Sequence, residues 1–190
     1  MILELGSLIA AFGIVGVAEL GDKTQLAVIA LSARHPPLQV FLGAMAAILL
    51  VDGASALLGV AIGSILPRWL LAAFGAAIFL AYGVYTFLCE ENEERIGDGK
   101  SSLALSFGLV AMMEVGDKTQ MAILALVANQ ASPYAVLAGA GLAYLLLMSF
   151  GVVLGSKLKK IVTKKYLRCV TALLFLAFGI TFALEAAGVV

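Results

Sequence analysis

Thiols and imidazoles are almost absent from this sequence. Its two cysteines, Cys89 and Cys169, stand far apart and match no metal or redox spacing, so they are read as plain membrane-edge residues. The single histidine, His35, sits in a turn beside Pro36 and Pro37 and says little by itself. Charge is scarce as well: 13% of the residues are charged. The formal net charge of zero says little about partners, and no nucleic-acid partner is expected. No basic region precedes the first apolar run and no clean small-residue cleavage site follows it. That run is therefore read as a retained helix rather than a signal peptide. A nucleotide-binding loop is missing too. "GDGKSS" at 97–102 looks like the end of a phosphate loop, but the required first glycine falls on Glu94.

Apolar residues fill the space that charge leaves. They make up 63% of the 190 residues, with a mean hydropathy of +1.09. Soluble domains are usually about 45–50% apolar, so one soluble core cannot hide this much apolar surface. An integral membrane protein is expected, with the lipid bilayer as its partner. Six apolar runs stand at roughly 5–31, 38–63, 69–89, 102–128, 134–155 and 169–188. Each is about 20 residues or longer and can cross a bilayer as a helix. Between them lie "SARHPP", "LPR", "EENEERIGDGKSS", "NQASP" and "SKLKKIVTKKYLR", all turn or charge signals.

The second half repeats the first. "AELGDKTQLA" runs from Ala18 to Ala27, and "MEVGDKTQMA" runs from Met113 to Ala122. Glu19 and Glu114 are 95 residues apart; one inserted residue then shifts the offset to 96, aligning "FLAYGV" at 79–84 with "FLAFGI" at 175–180. "LGAMAAILL" at 42–50 aligns in the same way with "AGAGLAYLL" at 138–146. The expected fold is all-α, with six transmembrane helices in two three-helix repeats. Residues 1–89 form the first repeat, 90–101 an acidic cytoplasmic linker, and 102–190 the second repeat. An odd helix count per repeat makes the second repeat enter from the opposite side. This is the inverted plan of secondary transporters, whose sites lie near the midplane between repeats.

Basic residues orient the chain. The loops after helices 1, 3 and 5 hold Arg34, Arg95, Lys100, Lys157, Lys159, Lys160, Lys164, Lys165 and Arg168, whereas the opposite side holds Arg68. The positive-inside rule places those loops in the cytoplasm and both termini outside. The basic run at 157–168 then touches anionic headgroups. Glu90, Glu91, Glu93, Glu94 and Asp98 are read as a solvated linker.

The repeated block is ionisable where lipid is expected. A charge at the bilayer centre costs roughly 2.5–3.5 kcal/mol on insertion scales, so six unpaired groups would cost on the order of 15–20 kcal/mol. Read as continuous helix, Glu19 and Asp22 share one face, Gln25 lies a turn on, and Glu19 can pair with Lys23. Glu114, Asp117, Gln120 and Lys118 repeat the pattern, with Thr24 and Thr119 beside the acids. Gly21 and Gly116 permit close approach or local unwinding. Salt bridges alone would leave Asp22 and Asp117 unexplained.

A cation site accounts for them. Four acids and two lysines sum to −2, which suits one divalent ion. The candidate ligands are all oxygens: Glu19, Asp22, Glu114 and Asp117, with Gln25, Gln120, Thr24 and Thr119 supporting. Hard ions such as Mn²⁺, Ca²⁺ or Mg²⁺ suit such a set better than Zn²⁺ or Cu⁺. Carboxylates in a low-dielectric site also hold protons more firmly, so exchange of metal for protons follows. Lys23 and Lys118 could tether the acids when no metal is bound. Asp52 is a further intramembrane acid whose repeat counterpart is Met148; it is read as a proton relay, an asymmetric gate, or a partner of a nearby hydroxyl or lysine. Ser55-x-x-x-Gly59 and Gly151-x-x-x-Gly155 are read as helix-packing spacings.

Both blocks match E-x-G-D-[KR]-[ST], at Glu19-Leu20-Gly21-Asp22-Lys23-Thr24 and at Glu114-Val115-Gly116-Asp117-Lys118-Thr119. The chain thereby resembles the cation/proton antiporter family of Golgi manganese and calcium transporters and bacterial manganese exporters. The resemblance covers the whole chain. It implies a transporter rather than an enzyme, with the motif acids as ligands, divalent cation and proton as substrates, and no prosthetic group. The short chain points to a prokaryotic plasma membrane and to Mn²⁺ export, with Ca²⁺ as the alternative ion. An exporter of amino acids or small cationic solutes would need a larger cavity with aromatic or amide contacts. An intramembrane aspartyl protease needs two acids sharing one proton, which the adjacent lysines and extra glutamates would spoil. The sequence leaves a passive channel open and does not fix the oligomeric state.

Overall fold

The computed structural model describes residues 2–58, 68–88, 99–115, 117–128 and 132–189. The readings made above at Gly59, Cys89, Glu90, Glu91, Glu93, Glu94, Arg95, Asp98 and Gly116 lie outside these residues, as do the side chains of Ser55, Arg68, Lys118 and Lys164. The described residues form helices and no strands: α1 (Ile2–Glu19), α2 (Lys23–Ser32), α3 (Pro37–Leu58), α4 (Arg68–Leu88), α5 (Gly99–Glu114), α6 (Lys118–Ala128), α7 (Pro133–Ile161) and α8 (Lys164–Ala186). Proline opens both α3 and α7, where its missing N–H costs no intrahelical bond. Helix α5 starts at Gly99, inside the stretch read as linker.

Large apolar side chains point outward along several helices, among them Leu5, Val17, Leu49, Phe74, Phe150, Leu173 and Ile180. A water-soluble surface would not carry so many, whereas a surface facing lipid does. Pro37–Ala54, Pro133–Ile161 and Lys165–Ala186 are long and apolar enough to cross a membrane, and α1 with α2 makes a fourth span if the bent pair is counted as one. Ala72–Leu88 is a shorter apolar stretch.

The first run is not one continuous helix. α1 and α2 meet at an angle of 69°. Gly21 turns the chain there with φ 77°, a conformation that costs glycine little. The second motif lies at the corresponding place, between the end of α5 at Glu114 and the start of α6 at Lys118.

The two halves interlock reciprocally. A Cβ at Gly43 of α3 would run into Ser106 and the Leu103 carbonyl of α5. A Cβ at Gly139 of α7 would run into the Leu8 carbonyl of α1. Gly43 and Gly139 are repeat equivalents, and so are Leu8 and Leu103. Gly83 of α4 likewise lies against Leu176 of α8, while Gly179 of α8 lies against Leu80 of α4. Contacts in which residue i meets j and the equivalent of j meets the equivalent of i are the signature of a two-fold relation. Near its centre Phe79 stacks on its own equivalent, Phe175, with ring centroids 5.7 Å apart. Gly151 and Gly155 of α7 lie against Gln25, Val28, Ile29 and Ser32 of α2, so this small-residue spacing serves helix packing.

His35 does more than its place in a turn implied. It is buried; its Nε2 lies 3.0 Å from the Tyr82 hydroxyl of α4, and its Nδ1 lies 3.3 Å from the Ser102 hydroxyl of α5. The α2–α3 turn is thus tied to both halves.

Candidate functional site

The break between α1 and α2 builds the first part of the site. Glu19 is the last residue of α1, and Asp22 is the residue preceding α2, in extended conformation. The two acids therefore do not share one helical face, as the spacing implied; the turn at Leu20 and Gly21 redirects the chain between them. The Asp22 N–H closes this turn by donating to the Glu19 carbonyl at 3.1 Å. Gln25 does not continue a ligand face. Its Oε1 accepts from the Gly21 N–H at 2.7 Å, and its Nε2 donates to the Leu147 carbonyl of α7 at 3.4 Å. The amide satisfies the Gly21 N–H, which the broken helix leaves without an intrahelical partner, and ties the break to α7.

The second break has the same form. The Asp117 N–H donates to the Glu114 carbonyl at 3.1 Å. Asp117 also caps α6, accepting from the Thr119 N–H at 3.3 Å. Asp22 makes no equivalent side-chain cap. Asp22 and Asp117 each precede the first turn of a helix, where the partial positive charge of the N-terminus favours a carboxylate.

Side chains cross between the halves. Thr24 Oγ1 donates to Glu114 Oε1 at 2.8 Å, and Thr119 Oγ1 donates in a short bond to Glu19 Oε1. These are one reciprocal pair. Glu19 and Glu114 are 0% and 1% exposed, so their hydroxyl partners replace water that cannot reach them. Lys23 Nζ donates to Asp117 Oδ1 at 2.6 Å, joining the halves, where the helical spacing had suggested Glu19 as its partner. The ammonium also lies 5.7 Å from the centre of the Phe182 ring of α8. Gln120 is buried.

Three of the four expected ligands converge. One carboxylate oxygen from each of Glu19, Asp22 and Asp117 lies within 4.8 Å of the others. The trio draws on both halves. Glu114 stands apart from it, held by Thr24 and by the Tyr144 hydroxyl of α7, which donates to Glu114 Oε2 at 3.3 Å. Asp52 of α3 is buried alongside Tyr144 and close enough to Glu19, Glu114 and Asp117 to feel their charge. Tyr144 was not singled out by the sequence reading. Its one signal was a hydroxyl inside an apolar run, with Ile48 at the equivalent place in the first half.

Mutually close carboxylates at broken helices suit a cation that replaces part of its hydration shell with oxygen ligands. The comparisons point the same way. The family model described as divalent cation/proton antiporter GDT1 matches residues 7–94 and 102–189, nearly all of both halves. Curated relatives include GDT1-like protein 3 of Oryza sativa subsp. indica, 26% identical over 92% of this chain and 72% of that protein. A GDT1-like protein of Synechocystis is 27% identical over 88% of this chain and 91% of its own length. The chloroplastic GDT1-like protein 1 of Oryza sativa subsp. indica is 29% identical over 93% of this chain and 61% of that protein. No solved structure matches. With both halves matched by one transporter family, the chain belongs to the divalent cation/proton antiporter GDT1 family.

Proposed function

We propose that the protein exports a hard divalent cation, Mn²⁺ first and Ca²⁺ second, in exchange for protons. The observation that carries this reading is the Glu19, Asp22 and Asp117 trio, drawn from both halves and made of oxygen donors alone. Among the described residues, three carboxylates opposed by one nearby lysine favour a doubly charged ion over a monovalent one. An oxygen set favours Mn²⁺ and Ca²⁺ over thiophilic metals. Lys23 is the built-in competitor: its ammonium occupies Asp117 until a metal arrives. Thr24, Thr119, Gln25 and Gln120 hold the acids and the unwound backbone, and Lys118 plays the part of Lys23 in the second half.

The six apolar runs form two three-helix repeats, 1–89 and 102–190, joined by the acidic linker 90–101 and inverted relative to each other. The reciprocal contacts support this arrangement, since an odd number of spans per repeat makes a two-fold relation run within the membrane plane. The site then lies near the midplane. The bias of the basic loops supports an orientation with both termini outside the cytoplasm, and the Synechocystis relative supports a prokaryotic membrane as its home.

Purified protein in liposomes tests the reading. With an imposed pH gradient and the membrane potential clamped, Mn²⁺ uptake exceeds that of Mg²⁺ and Zn²⁺, and Ca²⁺ competes. Mn²⁺ flux indifferent to collapse of the pH gradient would indicate a uniporter or channel instead.

A further inference from the structure

We propose that Gln25 is a positioning residue that sets which ion the trio prefers, by holding the first break at a fixed distance from the second across one turn of α7. This rests on the cation reading above and adds what tunes its size selectivity.

Gln25 is 5% exposed, and both ends of its amide are used. It is the third residue of α2, the place from which a glutamine can reach back to an N–H at the helix start. Here its Oε1 accepts from the Gly21 N–H at 2.7 Å. Its Nε2 donates the other way, to the Leu147 carbonyl of α7 at 3.4 Å. One side chain thus joins the unwound turn to a helix of the other half. An ionised carboxylate could accept from Gly21 but could not donate to a carbonyl, and it would add charge beside the trio. An apolar side chain could do neither.

The turn at Gly21 carries the acids. Glu19 and Asp22 flank it and supply two of the three trio oxygens, and the third comes from Asp117 at the second break. The spacing of the three therefore depends on where one break stands relative to the other. Thr24 and Thr119 cross between the halves, but they hold Glu114 and Glu19 rather than the turn that leads to Asp22.

α7 holds both breaks. Leu147 receives Gln25 from the first, and Tyr144, about one turn earlier, donates to Glu114 Oε2 at the second at 3.3 Å. Three helical residues span about 4.5 Å, and the helix ladder keeps that length nearly constant. On α3 the equivalent of Tyr144 is Ile48, which has no hydroxyl to give, so the double tie belongs to α7.

Ion size then enters. Ca²⁺ takes about six to eight oxygens in a flexible shell, whereas smaller ions demand a closer and more regular one. Mn²⁺ suits a regular six-oxygen shell. A trio whose spacing is held by a rigid turn keeps to the smaller ion, and one that can spread gives the larger ion room. Freeing the first break costs Mn²⁺ more than Ca²⁺.

The test reads a ratio. Liposomes bearing wild-type or Gln25→Met protein are assayed for uptake of labelled Mn²⁺ and of labelled Ca²⁺ under one pH gradient, and kcat/KM is compared for the two ions. Methionine is similar in length and keeps neither hydrogen bond. Gln25→Met lowers the wild-type preference for Mn²⁺ by roughly tenfold, mostly through a higher KM for Mn²⁺, with Ca²⁺ uptake retained. Tyr144→Phe shifts the ratio in the same direction by a smaller factor, since Glu114 stands outside the trio. Gly141→Ala on α7, where a new Cβ meets Leu49 at 3.9 Å, keeps the wild-type ratio. A folding lesion lowers both uptakes alike and leaves their ratio alone; that result in Gln25→Met would overturn the proposal, as would an unchanged preference or a shift towards Mn²⁺. Should Gln25→Met fail to insert, Tyr144→Phe decides, and a wild-type ratio there refutes the α7 spacing. Wild-type protein that carries neither ion, or that ignores the pH gradient, sinks the antiport reading itself.

Discussion

Replacing Lys23 by methionine keeps an unbranched side chain, one heavy atom shorter, and removes its charge. The ammonium donates to Asp117 Oδ1 at 2.6 Å, so a metal using that oxygen must first displace it. Hydrogen bonds to charged groups contribute about 1.5–3 kcal/mol. Lys23 is 28% exposed and Asp117 10%, so solvent screens part of the attraction and the lower end applies. About 1.5 kcal/mol corresponds to roughly tenfold in affinity. The loss of a positive charge beside the trio acts in the same direction. Lys23→Met therefore binds Mn²⁺ about tenfold more tightly by equilibrium dialysis of purified protein. Transport responds differently: KM falls, and kcat falls with it, because nothing remains to help eject the ion. Lys23→Arg keeps the charge and stays close to wild type in both measurements. The Phe182 face, 5.7 Å from the ammonium, offers a resting place when metal holds Asp117, so no large movement is needed. Unchanged or weaker Mn²⁺ binding by well-folded Lys23→Met would refute the idea that Lys23 competes with the ion.

Asp22→Asn and Asp117→Asn each remove one charge from the trio, and each abolishes Mn²⁺ tolerance in an exporter-deficient cell at matched membrane levels; normal tolerance in both would dismiss the paired-motif site. Gly43→Ala and Gly139→Ala force a Cβ onto a backbone carbonyl of the other half, at about 1–3 kcal/mol each, and lower the unfolding temperature in detergent by similar amounts. Gly13→Ala and Gly108→Ala meet no atom within 4 Å and serve as controls; equal destabilisation at all four positions would contradict the interlocking described above. His35→Phe removes the bonds to Tyr82 and Ser102, worth about 1 kcal/mol each, and lowers the unfolding temperature without altering which metal is carried, as thermal melts and ion competition would establish.

The membrane class and the duplicated motif could be read from the sequence because both follow from composition and local spacing. Ionisable groups are expensive in lipid, so a polar block inside an apolar run announces itself, and its recurrence at Glu114 points to a shared site. The chemistry proposed for that site rests on the same ground: oxygen donors are visible residue by residue. The family too rested on contiguous residues, and the family match bears it out.

Where a helix stops was not legible in the motif. Gly21 suited both close packing and unwinding, and its φ of 77° is set by how α1 and α2 pack against α7. Once the helix breaks, the three-residue spacing of Glu19 and Asp22 no longer describes a face, and Gln25 is redirected to the open backbone. Tertiary structure alone decided the partners: Lys23 with Asp117, Thr24 with Glu114, Thr119 with Glu19. Each pair joins residues from opposite halves, and local spacing carries no information about which helices cross there. Tyr144 and His35 make the same point, since nothing near them in the chain marks them. Their roles come from side chains that only packing brings alongside, where burial excludes water and leaves a neighbouring polar group as the substitute.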